Sequence, residues 1–155
     1  MLPKKETLAI EFKSDRKRLP DSELIEAVVA FANTEGGDLY IGIEDNGEVT
    51  GVHKDHLNIT TVSALVANNT VPPIPVRAEL IEDLFPVLKI SVPKSYSGIA
   101  ATSSGKTVHR QLKANGEPEN VPMYPPMFAT RLSDLRLLDY SAMPLLQSSI
   151  KDFDL

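Results

Sequence analysis

Ala-Val-Val-Ala-Phe-Ala-Asn-Thr-Glu-Gly-Gly-Asp-Leu-Tyr-Ile-Gly-Ile-Glu-Asp-Asn-Gly-Glu-Val-Thr-Gly, residues 27–51, is the stretch that decides the fold. It reads as the end of a buried helix, a two-glycine stop, a strand, a turn and a second strand. Leu24, Ile25, Val28, Phe31 and Ala32 recur at helical spacing. Gly36 and Gly37 supply the left-handed geometry that ends a helix. Leu39, Ile41 and Ile43 alternate with Tyr40, Gly42 and Glu44, the period of a half-buried strand. Asp45-Asn46-Gly47 predicts a hairpin turn, because Asn and Gly tolerate positive φ. Gly42 and Gly51 carry no side chain, which leaves room for another backbone or a ligand.

Working outward, Leu8, Ile10 and Phe12 predict a first strand with one apolar face, followed by the charged run Lys13 to Arg18. Pro20-Asp21-Ser22 starts the first helix, with Asp21 or Ser22 as N-cap. A second helix is expected over 55–69, stopped by Val71-Pro72-Pro73. Residues 76–80 and 88–92 alternate like two strands joined by a turn at Glu82-Asp83. Residues 99–102 and 107–112 are expected to pair across Ser103 to Lys106. Residues 114–126, with four prolines, read as loop. A short helix is expected over 132–140 and a peripheral linker over 143–155. The fold class is therefore α/β of the α+β kind, with a mixed, largely antiparallel sheet and two main helices. A doubly wound nucleotide fold is rejected, because short turns between neighbouring strands imply antiparallel pairs.

The 155 residues fit one domain, here drawn as 1–121, with 122–155 as a linking segment. There is no cysteine, which excludes disulfides, thiolate metal sites and cysteine nucleophiles. No apolar run approaches the roughly 20 residues of a membrane helix, no signal peptide is expected, and the reading is cytoplasmic. The net charge is −5 but unevenly spread. Residues 1–19 hold six bases and three acids, and residues 106–113 three bases and no acid. If the fold brings these two segments together they form one positive patch.

Three sets of residues bear chemistry. Ser103-Ser104-Gly105-Lys106-Thr107 imitates the end of a phosphate-binding loop, but position 100 is Ala where Gly is required, so a polar turn is the better reading. Glu6, Glu11 and Asp45, with Lys13 beside them, have the composition of a divalent-cation site next to a phosphate-neutralising lysine. On spacing alone, solvated strand-end carboxylates are the better reading. Lys13, Arg16, Lys17, Arg18, Lys106, His109, Arg110 and Lys113 form a basic set suited to phosphates, or simply a solvated charged surface. Tyr40, Tyr96 and Tyr124 are candidate base-stacking groups or packing. His53, His56 and His109 have no metal-ligand spacing. Asn33 is expected to bond backbone groups of the turn after its helix.

The pattern Glu6-x4-Glu11-Phe12-Lys13, Ala30-Phe31-Ala32-Asn33-Thr34-x-Gly36-Gly37, Leu39-Tyr40-Ile41-Gly42-Ile43-x-Asp45 and Gly51-Val52 resembles the AlbA-like domain of Schlafen proteins and of bacterial transcriptional regulators. The resemblance covers about residues 6–112. It implies a nucleic-acid-binding, usually DNA-binding, module of a transcriptional regulator, followed in the bacterial proteins by a C-terminal module absent from this sequence. In some Schlafen relatives the domain is a metal-dependent endoribonuclease. That activity would assign Glu6, Glu11 and Asp45 to Mg2+ or Mn2+ and make Lys13 catalytic. The nuclease groove takes two copies of the domain, so a homodimer would supply the second wall. A dimerisation platform for the absent module is a further alternative. All these readings share one geometric expectation, that the two basic segments border a single trough with the three acids at its floor.

Overall fold

The computed structural model describes residues 2–137. Strand β1 (Ile10–Lys13) leads to helix α1 (Asp21–Ala32) and strand β2 (Gly37–Ile41). A 3-10 turn (Lys54–His56), α2 (Ile59–Asn68), β3 (Thr70–Val71), β4 (Arg77–Ile81) and β5 (Val87–Val92) follow. The chain continues through β6 (Ala101–Thr102), β7 (Val108–Leu112), β8 (Pro118–Pro122) and α3 (Pro125–Asp134). Four strands make one sheet in the order β1-β2-β5-β4, and β3-β6 and β7-β8 form two-stranded ribbons. The β1–β2 pair is parallel, while β2–β5 and β4–β5 are antiparallel. This is the mixed, largely antiparallel α+β arrangement that the periodicities predict.

Helix α1 carries the core. Leu24, Ile25, Val28, Phe31 and Ala32 are buried against Leu39, Ile41, Leu88 and Ile90 of the sheet. Fully burying one such side chain stabilises by about 1.5–3 kcal/mol. Neither Asp21 nor Ser22 caps the helix. Pro20 is the N-cap, its extended backbone fixed by the ring, and its carbonyl accepts from the N–H groups of Glu23 and Leu24. After the helix, Gly36 holds φ at +75°, and a Cβ there would lie 2.6 Å from the Val92 carbonyl oxygen.

Several expectations change because β2 is a central strand. Leu39, Tyr40 and Ile41 are all buried, so β2 is covered on both faces rather than one. Phe12, Tyr40, Ile43 and Val87 make a second cluster on the face away from α1. Tyr40 meets Phe12 edge to face, so it is packing and not a stacking platform. The strand expected after Asp45-Asn46-Gly47 shrinks to one bridge between Ile43 and Val49. Gly42, at φ +106°, turns its carbonyl to accept from both Thr50 and Gly51, which draws the chain out of a regular ladder. A Cβ on Gly42 would meet the Gly51 backbone at 2.8 Å, so the backbone approach expected there is present.

The late strands pair differently from the expectation. β6 pairs with β3, not with β7, and Ser103 to Lys106 closes only a local turn. β7 pairs with β8, inside the stretch read as loop. Prolines argue against a strand, yet Pro118 and Pro122 sit at its two ends in a two-stranded ribbon, where missing donors are tolerated. The expected second helix divides into the 3-10 turn and α2. Where a helix is expected to begin at 132, α3 begins at Pro125 and ends at Asp134; residues 138–140 of that expected helix, and the segment 143–155, lie outside the described residues. Among the described residues no helix is long and apolar enough to cross a membrane.

Candidate functional site

The end of β1, the loop after it and the β7–β8 ribbon enclose a hollow of about 700 Å³. Glu6, Glu11, Lys13, Lys17, Arg18, Asp45 and Arg110 all line it. Sequence reasoning thus named seven of its residues. The other bases of the second segment go elsewhere. Lys106 pairs with Glu26 at 3.1 Å beside α1. His109 faces a separate cleft with Met123 and Arg131, and burial lowers its pKa. Lys113 lies beyond the end of β7, exposed and away from the hollow. Arg16, from the first segment, points away between Glu44 and Glu48. The single trough exists, but only the first basic segment borders it in force.

Arg110 is the organising residue. Its side chain is buried, and its guanidinium donates to the carbonyls of Thr7 (2.7 Å), Leu8 (2.8 Å) and Ile10 (3.2 Å). It also donates to Glu11 and, at 3.0 Å, to Asn120, and lies 4.5 Å from the Phe31 ring centre. Burial pushes its pKa down, while Glu11 and Glu6 hold the charge in place. Its donors are spent inside the protein, so Arg110 shapes the floor and is not presented to a phosphate.

The acids are tied as firmly. Glu11 is buried; one oxygen accepts from Arg110 and from Asn120 (3.0 Å), and the other lies 3.3 Å from the Lys13 ammonium. Glu6 accepts the Phe12 N–H at 2.9 Å. Burial raises the Glu6 pKa; Glu11 and Asp45 add to the rise, and the Phe12 N–H and Arg110 oppose it. Asp45 is exposed at the rim, in the turn after β2. Carboxylates are the right donors for a divalent cation. As arranged, however, these three do not fit one: among the described residues no group of three or more acidic or histidine side chains is placed to hold a metal. The physical reason is that Arg110, Asn120 and Lys13 already occupy Glu11.

The hollow's cations divide by partner. Lys13 is shared between Glu11 and Glu23 (3.9 Å), and Arg18 lies 2.9 Å from Asp55 and 3.1 Å from Asp21. Lys17 is exposed and, among the described residues, makes no ion pair. Five carboxylates and four cations line the hollow in all. The lining therefore carries one more acid than bases, and among its cations Lys17 alone makes no ion pair with a described residue.

Sequence reasoning missed Asn120, hidden in a proline-rich stretch, and Asp15, one acid inside a run of bases. Asp15 and His56 are each 1% exposed, and the Asp15 carboxylate lies 2.6 Å from the His56 ring. No sequence signal joins two residues so far apart. Asn33 does bond backbone, but not of its own turn: it joins Ala100 and Val108, stapling the end of α1 to the late strands. Tyr96 and Tyr124 are exposed away from the hollow, so among the described residues no exposed aromatic ring lines it.

The family model described as Schlafen, AlbA_2 matches residues 6–118 of this chain. The crystal structure of the DIP2311 protein from Corynebacterium diphtheriae is similar in fold, with a TM-score of 0.57 and 23% identity. That match covers 75% of this chain and 25% of that one, so the chain spans about a quarter of its solved relative's length.

Proposed function

The chain belongs to the Schlafen, AlbA_2 family, and from that premise we propose that it binds nucleic acid along the rim of the hollow. One observation carries this reading: among the described residues Lys17 has no carboxylate partner, and it lines the same hollow as Arg18 and Lys13. A phosphate backbone following that border meets cations without entering the floor, where Glu6 and Glu11 lie. Released counterions then supply most of the affinity, which falls steeply with salt. Among the described residues no exposed aromatic ring lines the hollow for bases to stack on, so the contacts on this reading are to the phosphate backbone. DNA is the first target to test, in keeping with a regulator's DNA-binding domain acting in the cytoplasm.

Fluorescence anisotropy with a labelled DNA duplex and a labelled single-stranded RNA, across a salt series, tests the reading. Binding at low salt that weakens linearly in log–log form supports it. No binding to either probe at low salt ends it.

Metal-dependent RNA cleavage is the second reading, favoured by Glu6, Glu11 and Asp45 sharing one hollow. It requires Glu11 to leave Arg110. Incubation of tRNA with Mn2+ distinguishes it: cleavage lost in Glu11→Gln supports the nuclease, and intact tRNA removes it. Light scattering on the same sample decides whether a homodimer supplies a second wall.

A further inference from the structure

Ser14 to Pro20 carries three consecutive cations, Arg16, Lys17 and Arg18, that repel one another. Something must hold the loop for Lys17 and Arg18 to face one border. The Asp15 carboxylate, buried beneath them, accepts the Leu19 N–H at 2.7 Å on one oxygen. Its other oxygen accepts the His53 N–H at 2.7 Å and lies 2.6 Å from His56 Nδ1. Leu19 is itself buried in the main core, so the loop is pinned at both Asp15 and Leu19. The same 3-10 turn reaches up a second time, because Asp55 accepts from Arg18 Nε at 2.9 Å. His53 caps that turn through the Asp55 N–H at 3.1 Å. Neither Asp15 nor His56 lines the hollow.

We propose that Asp15, His56 and Asp55 are positioning residues for nucleic-acid binding: the segment His53 to His56 is a clip that sets Lys17 and Arg18 along the rim. This rests on the rim reading above. An exposed loop bearing like charges samples many conformations, and binding must then immobilise each long side chain. The clip removes part of that cost before the ligand arrives. A bare Asp55 carboxylate would only weaken phosphate binding by its charge; held against Arg18, it also fixes the guanidinium's direction.

The test uses the whole chain, a fluorescein-labelled DNA duplex, and Lys17→Ala, Asp55→Ala, His56→Ala and His56→Asn. Lys17→Ala is expected to lower affinity and to reduce the slope of log affinity against log salt by about one. Deleting the Asp55 carboxylate gives opposite signs under the two accounts. Charge alone predicts tighter binding; loss of the clip predicts binding about fivefold weaker. Folded His56→Ala weakens binding likewise, and His56→Asn, whose amide still donates to Asp15, recovers most of the loss. Where His56→Ala does not fold, Asp55→Ala decides, since its residue is half exposed and outside the core. Tighter or unchanged binding by Asp55→Ala overturns the clip while leaving the rim reading intact, provided Lys17→Ala still weakens. No effect of Lys17→Ala overturns the rim reading and the clip with it.

Discussion

The run Lys13 to Arg18 and the run Lys106 to Lys113 look alike in sequence, yet folding treats them oppositely. Past Lys13, which ends β1, the first lies on a surface loop above a buried acid, so Arg16, Lys17 and Arg18 are exposed. The second enters a strand whose alternate residues point inward, so Arg110 is taken into the interior and only Lys106 and Lys113 stay outside. One run supplies surface charge and the other supplies structure. Charge counted along a chain is therefore not charge presented to a ligand; the strand period and the nearest counter-ion decide which it becomes.

The sharpest way to break this contrast is to exchange the roles of the two arginine and lysine centres. Arg110→Ala leaves Glu11 buried beside only Asn120 and Lys13 and removes the guanidinium bonds to the Thr7, Leu8 and Ile10 carbonyls, of which Thr7 and Ile10 keep their backbone bonds to each other. It should cost about 3–5 kcal/mol, the range for a broken buried ion pair. In a chain of this size that lowers the melting temperature by roughly 10 °C or more. Lys17→Ala should change stability by less than about 0.5 kcal/mol while weakening nucleic-acid binding. Thermal unfolding beside anisotropy reads both. A stable Arg110→Ala protein with lost affinity would return Arg110 to the binding surface.

Asp15→Asn comes next, with an expected loss of about 2 kcal/mol at neutral pH, as a carboxylate holding three donors is replaced by a neutral amide. Burial opposes ionisation of Asp15, but the bonds from His56, Leu19 and His53 together hold its pKa below the ordinary carboxylate range. Its contribution is therefore present above the unfolded value of about 3.9 and lost as the pH falls through the folded value. Urea unfolding at a series of pH values should show wild type and Asp15→Asn converging in acid. A gap that persists undiminished below that range would assign the loss to packing instead.

Lys106→Ala and Lys113→Ala sharpen the contrast from the other side. Each should leave affinity for the DNA duplex within about twofold, since neither borders the hollow. An effect as large as that of Lys17→Ala would extend the binding surface to the ribbon's tip for Lys113, or to the turn after β6 for Lys106.

The smallest expected effect is at Glu6. Its raised pKa means that its stabilising contribution is present below the unfolded value near 4.3 and is lost as the pH rises through the folded value. Glu6→Gln keeps an acceptor for the Phe12 N–H and removes the charge. It should add a few tenths of a kcal/mol at neutral pH and nothing in acid. Denaturant midpoints at the two pH values check this.

By itself the sequence determined the elements with strong periodicity. The apolar spacing from Leu24 to Ala32, the stop at Gly36 and Gly37, and the alternation in β2, β4 and β5 are local patterns set by each element's own geometry. The residue types of the hollow were legible for the same reason, as acids and bases at recognisable spacing. Only the tertiary structure decided that β2 is central, that β7 pairs with a proline-ended strand, and that Arg110 faces inward to hold Glu11. It alone joined Asp15 to His56. Each of these depends on contacts between segments far apart in the chain, and the net free energy of burying a charge depends on the partner it finds there, which no local pattern encodes.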